Sequence, residues 1–145
     1  MSTELLKLAH TVAKLAGSHL MNRPSSFTFT EKSSAVDFAT QMDQQAEELI
    51  VREILNSRPD DGIIAEEGAA RTSKSGITWV IDPLDGTVNY LYGLPGWNVS
   101  IAAKDKDGVL VGVVYAPSIN GFWSAVRGGD ATYNEIKLNV MTQLP

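Results

Sequence analysis

Hydrophobic residues near the amino terminus recur every three or four positions. This spacing places apolar side chains on one face of a helix, which we predict over residues 3–21. Pro24 disfavours helix at the residue before it and ends the segment. Residues 27–30 alternate and predict a short strand or extended loop, and residues 31–37 predict a polar loop. The apolar positions of the first helix are Leu5, Leu8, Ala9, Val12, Leu15, Ala16 and Leu20.

A second helical period follows over residues 42–56. Thr40 is the predicted N-cap, and Asp43 three residues later suits the positive end of the helix dipole. Residues 58–62 carry the proline, aspartate and glycine typical of a turn, which separates this helix from the rest of the chain. The inward positions of the second helix are Ala46, Leu49, Ile50 and Ile54.

The second half of the chain has the character of a sheet. Eleven of the twelve glycines lie from Gly62 onward. A loop is predicted at 69–76, and the connections between the later strands are short and rich in turn residues, which favours an antiparallel meander. Helices first and a sheet afterwards predict an α+β fold. The predicted strands cover residues 62–65, 77–81, 97–104, 109–116, 122–127 and 136–140.

Composition narrows the class of protein. The chain has 145 residues, is 43% hydrophobic, contains no cysteine and has a formal net charge of −5. This predicts an ordinary globular domain and excludes a disulfide scaffold. The acidic balance argues against binding nucleic acid, and no stretch approaches the ~20 apolar residues of a membrane span. We therefore expect a cytoplasmic protein with neither nucleic acid nor membrane as a partner.

The segment 79–89 carries the most chemical information. An apolar strand ends in Asp82, and Asp85 follows three residues later. Pro83 at the second position of a turn would bring the Cα atoms of these aspartates within ~7 Å, so that both carboxylates bind one hard cation. Gly86 and Thr87 would then begin a short helix, whose free backbone N–H groups can bind a phosphate.

A second acidic pair, Glu66 and Glu67, also follows an apolar strand. Taken alone, residues 82–86 are equally typical of a surface turn, because Asp, Pro and Gly are ordinary turn residues. Glu66 and Glu67 taken alone favour a solvated turn, and Asp43 alone is most simply a residue at a helix start. The joint arrangement of the two pairs with Asp43 favours a metal site over unrelated turns.

These motifs resemble the inositol monophosphatase family of metal-dependent phosphatases. The signature is the run Asp82-Pro-Leu-Asp-Gly-Thr-Val-Asn89, and the resemblance extends in order over nearly the whole chain. It implies that residues 1–145 form the N-terminal part of the layered αβαβα sugar-phosphatase fold, with two helices packed on an antiparallel sheet. Family members continue through an α/β second half that supplies a further aspartate ligand. We therefore expect this chain to be a fragment with weak or no turnover.

The resemblance also implies the metal ligands. Glu66 and Asp82, with the backbone carbonyl of Leu84, would hold a first Mg²⁺. Asp82 and Asp85 would share a second, and Glu66 would help to hold a third through water. The resemblance implies two further residues near the metal. Glu67 would support the ligands without binding a metal ion itself, and Lys32 would approach the metal site.

Substrate binding and catalysis follow from the same resemblance. Gly86 and Thr87 would bind the phosphate through backbone N–H groups, and Asp85 would reach the substrate hydroxyls. Thr87, oriented by Asp43, would position and deprotonate the attacking water, with Glu66 nearby as a third catalytic residue.

The implied activity is Mg²⁺-dependent hydrolysis of a phosphate monoester, with two or three Mg²⁺ ions and a small phosphorylated polyol as substrate. Residues 90–95 resemble the branch that acts on myo-inositol monophosphate, and a homodimer is implied for the full-length family. Fructose 1,6-bisphosphate, histidinol phosphate and a 3′-phosphoadenosine nucleotide stay open as substrates. A non-catalytic binding or regulatory module built on the same fold stays open as an alternative function.

Overall fold

Two long helices begin the fold, α1 at Ser2–Met21 and α2 at Lys32–Ser57. The computed structural model describes residues 1–23 and 32–141, with the side chains of α2 from residue 36 onward. The predicted first helix is confirmed to within one residue. Its inward face is confirmed at Leu5, Val12 and Leu20, which are fully buried, whereas Leu15 is exposed.

The start of the second helix was predicted wrongly. The helix α2 begins at Lys32, so the predicted polar loop at 31–37 is helical from residue 32, and Thr40 lies inside the helix instead of capping it. Ala39 and Met42 are buried and continue the apolar period backwards, which explains why packing extends the helix through a polar stretch. Asp43 therefore lies in the middle of a helix, away from the positive end of its dipole. The prediction for residues 27–30 lies outside the described residues.

The remainder of the described chain forms one mixed sheet of eight strands with a short helix, α3, at Thr87–Leu91. The order of the strands across the sheet is β2-β1-β3-β4-β5-β6-β7-β8. The strands are β1 Gly62–Ala65, β2 Ala70–Arg71, β3 Thr78–Asp85, β4 Asn98–Asp105, β5 Gly108–Ala116, β6 Gly121–Val126, β7 Ala131–Tyr133 and β8 Ile136–Lys137.

The predicted meander is confirmed over β4, β5 and β6. The antiparallel pairing extends beyond the prediction, to β3 on one side and to β7 and β8 on the other. The sheet is not antiparallel throughout, because β1 pairs in parallel with β3, with Ile63 opposite Trp79 and Ala65 opposite Ile81. Two short strands, β2 and β7, were not predicted, and β8 ends at Lys137 instead of residue 140. Strands of two or three residues are too short to show the alternation from which strands are predicted.

The helices cover one face of the sheet. Along β4, buried residues alternate with partly exposed ones, as expected when only one face of a strand is packed. Trp79 is fully buried on the helix side, and its indole Nε1–H donates to Asp61 Oδ2 at 2.8 Å. On the opposite face Ile64 and Val80 are 48% and 37% exposed. Within residues 1–23 and 32–141, no helix combines the length and apolarity needed to cross a lipid bilayer.

The end of α1 is bonded to the short helix α3. The hydroxyl of Tyr90 donates to the carbonyl of Leu20 at 2.8 Å, and the ring of Tyr90 stands edge-on against Trp97, 5.0 Å between centroids. Arg23 donates to the backbone carbonyls of Tyr90 and Leu91. These contacts fix α3, and with it the segment that follows β3.

We expect Tyr90→Phe to lower the free energy of unfolding by about 1–2 kcal/mol, because it leaves the buried carbonyl of Leu20 without its donor. Urea denaturation measures this change. Tyr92→Phe is the matched control, since Tyr92 is 73% exposed and should tolerate the loss of its hydroxyl. Equal midpoints for the two variants would contradict the proposed importance of this hydrogen bond.

Candidate metal and phosphate site

The acidic residues meet because β1 and β3 run in parallel side by side. Ala65 is opposite Ile81 in the register, so Glu66 and Asp82 leave the two strands at the same level. The backbone N–H of Glu66 donates to the carbonyl of Ile81 at 3.0 Å, which continues the pairing one residue further. The carboxyl groups of Glu66 and Asp82 consequently lie within hydrogen-bond reach of each other.

Asp82 and Asp85 are separated by a β-bulge. Asp82 is opposite Ser100 and Asp85 is opposite Asn98, so three steps on β3 match two steps on β4. The predicted turn at Pro83 is thus a bulge within a continuous strand. Proline suits this place because it has no N–H to donate to a ladder that is interrupted there.

Each aspartate of the bulge has a defined partner. Asp82 Oδ1 accepts the backbone N–H of Leu84 at 3.2 Å, and Asp85 Oδ2 accepts Asn98 Nδ2 at 3.3 Å. The negative charge of Asp85 acts on Asp82. The bulge therefore keeps the two carboxylates close enough for their charges to interact, by a backbone geometry other than the predicted turn. That both bind one cation stays a prediction.

Asp43 completes the acidic group from the side of α2. It is buried, and among the described residues its Oδ1 atom has no hydrogen-bond partner. Burial, followed by the charge of Glu67 and a hydrogen bond to that residue, raises the pKa of Asp43 to about 8, and Asp82 and Glu66 add to the shift. The neighbours that shift the pKa of Asp43 are all acidic, so none of them compensates its negative charge.

Asp82 is perturbed in the same direction. Burial, then the hydrogen bond and charge of Glu66, and then the charge of Asp85 raise the pKa of Asp82 to about 7. Two neighbouring carboxyl groups with raised pKa values are typical of a functional site.

Oxygen ligands of this kind fit a hard divalent cation. Oδ1 of Asp43 has no partner among the described residues, and the negative charges of Glu66, Asp82 and Asp85 repel one another. A bound Mg²⁺ would neutralise this repulsion. Within residues 1–23 and 32–141, no group of three or more acidic, histidine or cysteine side chains is arranged so that it could hold a metal ion by itself. The donor set still fits Mg²⁺, which is usually held by one or two carboxylates and keeps waters or phosphate oxygens as its other ligands.

The acidic group borders a cavity on the uncovered face of the sheet. This cavity of about 330 Å³ is lined by Glu66 and Asp82 together with apolar residues such as Ile64 and Val80. A larger cavity of about 610 Å³ lies between α1 and the β5–β7 strands, around Lys14. The smaller cavity is the relevant one, because the perturbed carboxyl group of Asp82 lines it.

The short helix α3 begins where the sequence predicted. Gly86 occupies the position before it, with φ of 82°, and Thr87 is its first residue. A Cβ atom on Gly86 would lie 2.4 Å from the carbonyl oxygen of Gly96, so this close approach also requires glycine. The hydroxyl of Thr87 donates to the carbonyl of Leu84 at 3.1 Å. The role of Asp43 in orienting Thr87 stays a prediction.

Two residues of the site were missed in the sequence. Glu47 is buried on α2 and accepts backbone N–H groups from the turn that carries Glu66, and Asn98 donates to Asp85. The position of Glu47 four residues after Asp43 was the available signal, since residues four apart share one face of a helix. No pattern distinguished Asn98. The predicted role of Lys32 lies outside the described side chains.

Known proteins are similar to this chain in sequence and in fold. The model of the inositol monophosphatase family matches residues 1–145. The Nus factor SuhB of Pasteurella multocida is 43% identical over 140 residues, which are 94% of this chain and 52% of that protein. The inositol-1-monophosphatase of Mesorhizobium japonicum is 39% identical over 105 residues, which are 72% of this chain and 40% of that protein.

A solved structure agrees with these matches. The extragenic suppressor protein suhB of Bartonella henselae has a TM-score of 0.82 and 29% identity, over 97% of this chain and 55% of that one. The chain spans about half the length of the curated relatives it matches.

We expect Asp43→Asn to stabilise the chain in the presence of a chelator by about 1–3 kcal/mol at neutral pH, because the folded chain no longer has to keep a buried carboxyl group protonated there. The folded state holds the proton of Asp43 up to about pH 8, whereas the unfolded state releases it near 3.8. The gain should therefore be absent below about pH 4, grow with pH and level off above about pH 8. Thermal unfolding from pH 4 to 9 measures it.

Asp37→Asn is the control for this experiment, since Asp37 is an exposed aspartate on the same helix. A gain that is equal for the two variants, or independent of pH, would contradict an unfavourable buried charge at Asp43.

We expect Gly86→Ala to lower the free energy of unfolding by about 1–3 kcal/mol, because the new methyl group meets the carbonyl oxygen of Gly96. Gly93→Ala is a close control, since Gly93 also has positive φ, of 70°, but has open space around it. Urea denaturation of both variants separates the collision from backbone strain. An equal loss in both would mean that the contact with Gly96 is unimportant.

Proposed function

Since the chain belongs to the inositol monophosphatase family, we propose that it provides metal and phosphate ligands for the Mg²⁺-dependent hydrolysis of a phosphate monoester, with myo-inositol monophosphate as the substrate. One observation carries the proposal: mutually repelling carboxyl groups from α2, β1 and β3 meet at one edge of the sheet, and Oδ1 of Asp43 has no hydrogen-bond partner among the described residues. The choice of substrate is supported by the similarity to the inositol-1-monophosphatase of Mesorhizobium japonicum.

The metal ligands in this proposal are Glu66, Asp82 and Asp85 with the carbonyl of Leu84. Asp82 lies between the other two carboxylates and can serve two ions. The carbonyl of Leu84 accepts the hydroxyl of Thr87 and keeps a second lone pair for a cation. Bound Mg²⁺ would supply charge stabilisation for the phosphate and lower the pKa of water toward ~7.

The segment after β3 would bind the substrate. The backbone N–H groups of Gly86 and Thr87 are assigned to the phosphate, and the carboxylate of Asp85, held by Asn98, is assigned to hydroxyl groups of the polyol. The hydrogen bond from Thr87 to Leu84 fixes the side chain of Thr87 beside the proposed ligands.

The catalytic residues in this proposal are Asp43, Glu66 and Thr87. Thr87, oriented by Asp43, would position the attacking water, and one proton would pass from the water by way of the Thr87 hydroxyl to Asp43, with Glu66 nearby. A pKa of about 8 for Asp43 suits this task, because a general base works best when its pKa lies near the working pH. A bound cation would lower that value toward neutrality.

A second candidate function is a regulatory role without turnover. It is favoured by the relative named Nus factor SuhB, which is 43% identical to this chain. The two candidate functions can be distinguished by phosphate release: hydrolysis requires it, and a regulatory role does not.

We expect the chain to bind Mg²⁺ in calorimetric titration and to release phosphate from inositol 1-phosphate at a low but measurable rate. We expect Asp82→Asn to reduce both, the rate by on the order of 100-fold or more, because Asp82 would be a ligand of both metal ions. Asp107→Asn removes an exposed carboxylate from the turn between β4 and β5 and is the matched control.

Phosphate release that is insensitive to Asp82→Asn or to chelator would contradict the metal mechanism. Mg²⁺ binding without phosphate release would favour the regulatory candidate.

A further inference from the structure

Glu47 and Asp43 lie on the same face of α2, four residues apart, and both are buried. Their surroundings differ. Asp43 has an oxygen without a partner among the described residues, whereas each oxygen of Glu47 accepts a backbone N–H group. Two carboxylates on one helix face therefore have different tasks, and only Asp43 is available to a ligand.

The partners of Glu47 belong to the turn between β1 and β2. Glu47 Oε2 accepts the N–H of Glu67 at 2.7 Å, and Glu47 Oε1 accepts the N–H of Ala69 at 2.9 Å. Hydrogen bonds from backbone N–H groups to a carboxylate are among the stronger ones in proteins. The contact joins α2 to a turn that is 20 residues away in the sequence.

All four backbone N–H groups of this turn have an acceptor. Glu66 donates to Ile81 at 3.0 Å and Gly68 donates to Ala65 at 3.2 Å, both within the sheet or the turn. The other two, those of Glu67 and Ala69, depend on Glu47. Half of the donors that fix the turn are therefore satisfied by this one side chain.

The turn carries the acidic pair of the site. Glu66 lies within hydrogen-bond reach of Asp82, and Glu67 lies within reach of Asp43. These contacts bring like charges together, so the turn would move outward unless something held it against α2. Glu47 provides that restraint without competing for the cation, because its two oxygens already accept hydrogen bonds.

We propose that Glu47 is a positioning residue that holds the turn of residues 66–69 against α2 and thereby sets the affinity for the divalent cation. This inference rests on the proposed function, since it assumes that Glu66 binds metal. Groups that orient metal ligands typically affect metal affinity by about 10–100-fold.

The test is a calorimetric titration of Mg²⁺ into the chain and its Glu47→Gln variant, well below both unfolding midpoints. Glutamine has a single carbonyl oxygen, and its NH₂ group would face an N–H that also donates. We expect the dissociation constant for Mg²⁺ to rise about 10–100-fold. Glu48→Gln makes the same charge change at the neighbouring exposed position and should leave the affinity unchanged.

Amide hydrogen exchange provides a readout that does not depend on the metal. In the unmodified chain with chelator, the amides of Glu67 and Ala69 should be protected, and Glu47→Gln should reduce their protection about 10-fold or more. The amides of Glu66 and Gly68 donate to other acceptors and should keep more of their protection from exchange. If Glu47→Gln fails to fold, Glu47→Asp keeps the charge but cannot span both donors, and it should show the same changes to a smaller extent.

The outcomes separate the two hypotheses. If the unmodified chain does not bind Mg²⁺, the proposed function fails. If the chain binds Mg²⁺ and Glu47→Gln binds it equally well, the positioning role of Glu47 is overturned. A lower stability of Glu47→Gln with unchanged affinity would also overturn it, since Glu47 would then be a structural residue alone.

Discussion

The parallel pairing of β1 with β3 determines where the chemistry of this chain lies. Every other neighbouring pair of strands in the described sheet is antiparallel, so only here do two adjacent strands end at the same edge. The pairing places Glu66 level with Asp82, and the bulge after Asp82 adds Asp85. The helix α2 then supplies Asp43 from the adjacent layer. The acidic group is a consequence of sheet topology.

Such a group is unfavourable for folding in the absence of a cation. Burial and mutual repulsion raise the pKa values of Asp43 and Asp82, which means that the folded chain holds protons that the unfolded chain would release. The surrounding structure has to compensate. Trp79 and Ile81 are buried beneath the site in the core, and Tyr90 and Arg23 hold the segment beyond it. A rigid scaffold keeps the carboxylates close, so that a cation meets ligands already in place.

Much of the fold and the acidic motif at Asp82 and Asp85 could be predicted from the sequence, because both leave a clear pattern in it. The helix α1 and the longer strands repeat a period over many residues, and the motif from Asp82 to Thr87 has a distinctive composition. The start of α2 could not be predicted, because residues 32–37 carry no apolar period, although they are helical in the structure. The parallel pairing of β1 with β3 could not be predicted either, because the direction of β3 depends on the connection through β2 and the loop after it. The spacing of four residues from Asp43 could have indicated that Glu47 shares its helix face, but not its role, because its partners are backbone N–H groups that no sequence pattern identifies.

The sheet ends on both sides in very short strands, β2 with Ala70–Arg71 and β8 with Ile136–Lys137. A long unpaired edge is a template on which another chain can add a strand, and two residues, one of them basic, make a poor template. Edge-to-edge growth into extended aggregates is therefore disfavoured within the described part of the chain. The open face that carries Ile64 and Val80 is better suited than either edge to contact with another large surface.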